Sequence, residues 1–249
     1  LYNLPAAFIT PLTISVVPAI SAAVAARDNG AAGEIAESSL RISTVISLPM
    51  GVGLSVLAYP IVNVLYSDTH EIGPTLLVYL GVASFFVCMA LMTNAILQAG
   101  GNEKYPVWSM LAGGAVKLIV NWVLVGNPDI NIVGAPIGTI CCYAVMCVMN
   151  CFFLMRCMKR PPNFGKVLLR PALSSAVMGL SAWAVYGLAV RFIGGADMGR
   201  LVMAVCMCAA ILVAVLVYLV MIIATRAVTY EDMKLIPKGG LIARILHIK

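Results

Sequence analysis

The residue best suited to do chemistry is Lys117, which lies inside a long run of apolar residues. A charged lysine in mid-membrane costs at least ~2.5–3.5 kcal/mol, so it should face a polar cavity or a partner. Gly113, Lys117 and Asn121 recur every four residues and therefore share one helix face. Gly113 would let a ligand or another helix approach that face, and the Asn121 amide can hydrogen-bond beside the ammonium. Lys117 and Asn121 are thus our first cavity candidates, and a packing role at helix ends is the alternative.

Three further polar residues within apolar runs form a second set of cavity candidates. Asn94 and Gln98 share one face near the end of the apolar run 74–99, and Thr13 lies near the middle of the first run, 4–26. Polar side chains in such runs more often hydrogen-bond between helices than contact a ligand. Interhelical bonding is therefore the alternative for all three.

Proline and glycine mark positions where helices can bend. Pro11 and Pro18 lie inside the first run, and Pro49 and Gly51 lie inside the second run, 42–66. Proline removes a backbone N–H and kinks a helix. We predict these four residues as hinge or kink positions, with a passive kink as the alternative, and expect helical regularity to break over 49–53. Residues 27–41 can form a short cytoplasmic helix before the second run.

No pattern in the sequence predicts catalysis, a metal or a cofactor. Seven of the eight cysteines lie within apolar runs, no CxxC pair occurs, and the only histidines, His70 and His247, lie outside the runs. We expect the thiols to be neutral packing residues. The apolar runs also lack carboxylates, which leaves general acid–base and nucleophilic mechanisms without their groups. The prediction is a protein that is not an enzyme, with no catalytic residue, metal ligand or cofactor.

Membrane-spanning helices must position these candidates. Only 10% of the 249 residues are charged and 62% are hydrophobic, whereas soluble domains carry about a quarter charged residues. Crossing a bilayer takes about 20 apolar residues as a helix, and β-barrel strands would instead alternate over roughly ten residues. The predicted fold class is therefore all-α and polytopic, with seven transmembrane helices. The apolar runs are 4–26, 42–66, 74–99, 106–125, 132–155, 171–190 and 201–225.

Basic residues fall on alternate connections between these runs. Thirteen Lys and Arg lie on one side, counting the residues after the last run, and the other side has two, Arg191 and Arg200. Cytoplasmic loops carry this excess, so we predict a cytoplasmic C-terminus and a basic amphipathic tail. The net charge of +6 follows from the same rule, and no nucleic-acid partner is expected. Because seven spans would place Leu1 outside, without Met or a signal peptide, we expect the C-terminal part of a longer protein.

Three stretches of the chain resemble a known family. They are LYNLPAAFITPLTISVVPAIS, SLPMGVGLSVLAYPIVNVLYSD and ILQAGGNEKYPVWSMLAGGAVKLIVNWVLVGNPDINIVGAPIGT. Together they resemble the C-terminal half of the polysaccharide-exporter branch of the MOP (multidrug/oligosaccharidyl-lipid/polysaccharide) flippase superfamily, in particular the stage V sporulation protein B group and its lipid II flippase relatives. The residues that carry most of the resemblance are 98–101, Lys117 with Asn121, and 134–139.

The resemblance implies a fourteen-helix fold with two lobes around a cavity that opens alternately to each side. Residues 1–160 would supply five spans of the second lobe, 161–226 two additional C-terminal helices, and 227–249 the cytoplasmic tail. The implied function is to flip an undecaprenyl-pyrophosphate-linked precursor, such as lipid II or a polysaccharide unit, across the bacterial plasma membrane. Implied partners are that lipid-linked saccharide and membrane lipids, with a coupling ion left open. A pyrophosphate needs cations, and Lys117 is the one basic residue inside the runs.

Two other functions remain as alternatives at this point. A cation-coupled multidrug exporter of the related MATE branch would favour an acidic cavity, but the runs contain no carboxylate. A seven-helix receptor-like protein has the same topology. A retinal protein would need its lysine in the last run, whereas Lys117 lies in the fourth.

Overall fold

The computed structural model describes residues 1–66, 72–193 and 199–225. Within these ranges the chain is all-helical, and seven helices are long and apolar enough to cross a membrane. This confirms the predicted all-α, seven-span fold. The predicted tail at 227–249 lies outside the described residues. The helices are α1 (Leu4–Ala25), α2 (Asn29–Val56), α3 (Ala58–Leu65), α4 (Ile72–Ala99), α5 (Lys104–Val125), α6 (Gly134–Cys157), α7 (Phe164–Ile193) and α8 (Arg200–Thr225).

The second span begins earlier than the sequence indicated. The helix expected within 27–41 is present from Asn29, but it is not a short element of its own, because α2 runs without interruption into the apolar segment. Its start is fixed by Asp28, whose side chain accepts a hydrogen bond of 2.9 Å from the backbone N–H of Ala31. An aspartate at this position satisfies one of the free N–H groups of the first turn. The amphipathic lead-in and the membrane span are therefore one element.

The break in this span also lies later than expected. The helix continues through 49–53 and ends at Val56, and Leu57 separates it from α3. Pro60 explains the position, because it has no N–H to donate to the carbonyl of Val56, four residues earlier. Pro49 and Gly51 therefore lie within continuous helix. Whether they act as hinges stays a prediction.

The core forms around α4, which packs against α1, α2, α3 and α6. A cluster of fully buried apolar side chains fills the space between α1, α2, α4 and α6, including Ile20, Leu40, Met89, Met92 and Leu154. On one side α5 packs mainly on α6, and on another α7 and α8 pair with each other and contact α2 and α3. The chain is thus a layered bundle in which α2, α4 and α6 connect the outer helices.

Small residues allow α2 and α4 to cross closely. A Cβ atom added to Gly51 would lie 2.7 Å from the carbonyl oxygen of Gly81. Nearby, the Ser55 hydroxyl donates a 2.9 Å hydrogen bond to the Val78 carbonyl. Small residues and hydroxyl groups are typical of helix interfaces in membranes, where close backbone approach replaces the hydrophobic driving force. Gly51 therefore has a packing role at this crossing.

Two prolines inside helices each free a backbone carbonyl, and a side chain of a neighbouring helix donates a hydrogen bond to that carbonyl. Pro49 leaves the carbonyl of Val45 without its usual backbone donor, and the hydroxyl of Tyr218 on α8 donates to that carbonyl at 2.6 Å. Pro171 likewise frees the carbonyl of Val167, which accepts a 3.0 Å bond from the Thr44 hydroxyl on α2. These two bonds tie the α7–α8 pair to α2.

Candidate functional site

Lys117 lies on the face of α5 that packs against α6. A Cβ on Gly113, one turn earlier, would lie 2.8 Å from the carbonyl oxygen of Cys142. One turn later, Asn121 contacts Gly138, whose added Cβ would lie 3.0 Å from the Asn121 Cγ. The predicted stripe of Gly113, Lys117 and Asn121 is therefore the α5–α6 seam, and α6 is the helix that approaches it.

Lys117 is only half-buried, so part of the residue is open beside this seam. The helices that pack nearest, α4, α5 and α6, contain no Asp or Glu. Lys117 thus has no carboxylate partner on these three helices. A half-buried cation without an ion-pair partner on its own seam can bind an anion that reaches the open side of α5.

Asn121 supplies an unused acceptor beside Lys117. Its Oδ1 atom is buried and has no hydrogen-bond partner among the described residues. A buried polar atom without a partner costs free energy, about 1–3 kcal/mol, so such atoms generally meet water, a ligand or a moving side chain. Lys117 and Asn121 together therefore offer a cation and a neutral acceptor on one stripe.

The remaining surface of α5 is largely uncovered in the described part of the chain. Only Pro106, Ser109 and Gly113 are buried on this helix. Leu118 and Trp122, which directly follow Lys117 and Asn121 in the sequence, are 74% and 85% exposed. Lipid or further protein must cover this apolar face, whereas the Lys117 side requires polar surroundings.

A second polar cluster joins α4 to α6. The side-chain Nδ2 of Asn150 donates to Asn94 Oδ1 at 2.7 Å and to Thr93 Oγ1 at 3.0 Å. Asn150 is fully buried, and its own Oδ1 has no partner among the described residues. Asn94 is therefore an interhelical contact. The sequence reasoning missed Asn150, although a lone amide inside an apolar run was the available signal.

The other predicted residues lie apart from the α5–α6 seam. Gln98 is exposed one turn beyond Asn94, near the end of α4. Thr13 on α1 is half-buried and donates to the carbonyl of Thr10 at 2.7 Å. The exposed prolines Pro11 and Pro18 lie within the same continuous helix, which packs on α2 and α4. The structure thus brings Lys117 and Asn121 together and places Asn94 with Asn150.

A crevice of about 120 Å³ opens where the ends of α1, α2, α4 and α6 meet. Its wall is mostly apolar, with Asn29, Asn102 and Lys159 as polar members. This volume is below the ~300–1,000 Å³ of typical small-molecule pockets. The crevice is therefore too small by itself to enclose a lipid-linked saccharide.

Comparisons with known proteins show which family this chain resembles. The profile of the lipid II flippase MurJ family matches residues 1–231. The chain is 30% identical over 154 residues to the uncharacterized membrane protein YabM of Bacillus subtilis (strain 168), and 25% identical over 148 residues to the probable lipid II flippase MurJ of Rickettsia prowazekii (strain Madrid E). These alignments cover 62% and 56% of the chain. Each covers 28% of the relative's length.

A solved structure shares the fold. It is an inward-facing multidrug resistance MATE family transporter of the MOP superfamily, with a TM-score of 0.54 and 17% sequence identity. The match covers 90% of this chain and 55% of that protein, so the chain spans about half of its length. The names of the matched family and of this solved structure both describe proteins that move molecules across membranes without converting them. With the family profile matching nearly its whole length, this multi-pass membrane chain belongs to the lipid II flippase MurJ family.

Proposed function

We propose that the protein containing this chain flips an undecaprenyl-pyrophosphate-linked cell-wall precursor, such as lipid II, across the bacterial plasma membrane by alternating access. The match of the flippase family over residues 1–231 carries the proposal. The half-buried Lys117, on helices without a carboxylate partner for it, supports the same substrate class. A pyrophosphate inside a membrane requires positive charge, and Lys117 supplies it.

In this proposal Lys117 binds the pyrophosphate by charge, and Asn121 accepts a hydrogen bond from a neighbouring donor. A charge-assisted hydrogen bond contributes about 1.5–3 kcal/mol, which is roughly a ten- to hundredfold effect on binding. Because α5 has an uncovered polar edge at Lys117 and a close seam with α6, the two helices would move as one unit around the substrate. Membrane lipids would cover the apolar face that bears Trp122.

The organisation along the chain follows from the same proposal. Residues 1–160 would supply five helices of one lobe, and 161–226 two additional helices. The 13 basic residues on one side against two on the other support a cytoplasmic C-terminus. The observed packing agrees with a separate unit after residue 160, since α7 and α8 pair with each other and attach to α2 and α3.

Complementation tests the proposal. The complete gene product is expressed in a bacterial strain that is depleted of its own lipid II flippases, and growth and cell lysis are measured. We expect the unaltered protein to restore growth, Lys117→Ala to fail at equal membrane abundance, and Lys117→Arg to retain part of the activity. Lys104→Ala is the matched control, because it removes a lysine from the exposed start of the same helix.

The outcomes separate the function from the site. Failure of the unaltered protein to support growth, despite normal insertion, would reject the flippase activity in that strain. Full growth with Lys117→Ala would leave the flippase activity standing and remove Lys117 from the substrate site.

A further inference from the structure

The four prolines inside the described membrane helices differ in whether the backbone carbonyl that each one frees finds another donor. Pro49 and Pro171 free the carbonyls of Val45 and Val167, and each carbonyl accepts a hydroxyl from a neighbouring helix. By the same geometry, Pro11 and Pro18 on α1 remove the usual donors of the carbonyls of Ala7 and Ile14. No side-chain donor among the described residues reaches either of these two carbonyls.

The hydroxyls of α1 are already engaged with other carbonyls. Thr10 donates to Ala6 at 2.9 Å, Thr13 donates to Thr10, and Ser15 donates to Leu12 at 2.8 Å. None of these bonds reaches the carbonyl of Ala7 or Ile14, which Pro11 and Pro18 leave without the usual donor. The two acceptors on α1 therefore need donors from outside the helix.

The face that bears these acceptors is uncovered. Ala7, Pro11, Ile14 and Pro18 are all exposed, and Ile14 is exposed by 70%. In hydrocarbon, an unsatisfied backbone carbonyl costs several kcal/mol, and non-helical hydrogen bonding is tolerated only against protein or a water-filled cavity. Lipid therefore cannot satisfy these two carbonyls, which need a donor from protein or from a polar cavity beside α1.

We propose that the carbonyls of Ala7 and Ile14 line the transport cavity and accept hydrogen bonds from the saccharide part of the lipid-linked substrate. The inference rests on the proposed function and adds to it the group that α1 recognises. Sugar hydroxyls and amides donate hydrogen bonds, whereas an ionised pyrophosphate is almost entirely an acceptor. The anion is then bound by Lys117 and the saccharide by α1.

The spacing of the two carbonyls suits an extended ligand. Seven residues span about 10 Å along a helix and return to nearly the same face. Both acceptors thus point to one side of α1, two turns apart. A saccharide of more than one ring can reach both, while a single small donor such as water can reach only one at a time.

Replacing each proline restores the missing N–H and tests the acceptors without removing a polar side chain. We would measure the affinity of the purified complete protein for lipid II and for undecaprenyl pyrophosphate, which lacks the sugars. We expect Pro11→Ala and Pro18→Ala each to weaken lipid II binding about fivefold, with undecaprenyl pyrophosphate unaffected. Pro5→Ala is the matched control, because Pro5 lies in the first turn of α1, where a proline costs the helix no hydrogen bond.

The comparison of two ligands separates recognition from bending. An equal loss of affinity for both ligands would indicate that the prolines act only through helix shape and would overturn the proposal. Unchanged affinity for both would overturn it as well. If the unaltered protein binds neither ligand, the proposed function is what fails.

A second experiment measures the water accessibility of α1. In a variant without native cysteines, Ile14→Cys should react with a membrane-impermeant, thiolate-selective reagent in at least one conformation, and lipid II should slow the reaction. Leu216→Cys on α8, 63% exposed in an apolar run, should stay unreactive as the lipid-facing control. An Ile14→Cys thiol that is as inert as that control would show that α1 does not line a polar cavity.

Discussion

The hydroxyl of Tyr218 on α8 donates to the backbone carbonyl of Val45 on α2, at 2.6 Å. This carbonyl lacks its helical donor because Pro49 stands four residues later. A side chain on a helix distant in sequence thus supplies the hydrogen bond that Pro49 removes from α2. The same pair of residues anchors the α7–α8 unit, since Tyr218 also belongs to the apolar cluster between α7, α8 and α2.

Tyr218→Phe should destabilise the protein by removing this bond. Hydrogen bonds between membrane helices contribute on average about 0.6 kcal/mol and up to ~1.7 kcal/mol, so a modest fall in melting temperature in detergent is expected. The decisive comparison uses Pro49→Ala, which restores a backbone donor to the Val45 carbonyl. Tyr218→Phe should cost less in the Pro49→Ala background than alone, and equal costs in both backgrounds would contradict the account.

Gly113→Leu should separate α5 from α6, because a side chain there collides with the backbone of Cys142 at 2.8 Å. Gly114→Leu is the matched control, since an added Cβ at Gly114 meets nothing within 4 Å. Both variants gain the same apolar group and the same helix propensity. We expect Gly113→Leu to lower the melting temperature and the folded yield, and Gly114→Leu to do neither. Similar effects of the two substitutions would refute the close packing of the α5–α6 seam.

Asn150→Leu should break the amide cluster between α4 and α6. It removes the donor to Asn94 and Thr93 and leaves Asn94 Oδ1 without that bond. The expected loss of stability is about 1–2 kcal/mol, because a buried acceptor left unpaired is costly. The double variant Asn94→Leu with Asn150→Leu should lose less than the sum of the single variants. Strict additivity of the three unfolding free energies would show that the two amides do not interact.

The arrangement of spans was predictable because it depends on length, hydropathy and charge alone. Each of the seven apolar runs overlaps one membrane-spanning helix, since in lipid every backbone group must be paired within the segment. The stripe of Gly113, Lys117 and Asn121 was predictable from the helical period, and a close helix neighbour was one of its two predicted partners. The identity of that neighbour, α6, was not accessible from a one-dimensional pattern.

What the sequence could not specify were the bonds that cross between helices. Pro49 indicated a possible break, but only the position of Tyr218, 173 residues later along the chain, explains why α2 continues through it. The actual break at Leu57 lies beside Pro60, and no side chain among the described residues donates to the Val56 carbonyl that Pro60 frees. Asn94 was predicted as a cavity candidate with interhelical bonding as the alternative, and its hydrogen bond to Asn150 is such an interhelical bond.

The most direct test of the central claim is lipid II translocation by the purified complete protein in vesicles. Fluorescent lipid II is placed in one leaflet, and its arrival in the other is measured for the unaltered protein, Lys117→Ala and the Lys104→Ala control. The account predicts rapid translocation by the unaltered and Lys104→Ala proteins and at least a tenfold slower rate for Lys117→Ala. Translocation no faster than in protein-free vesicles, or an unchanged rate for Lys117→Ala, would contradict it.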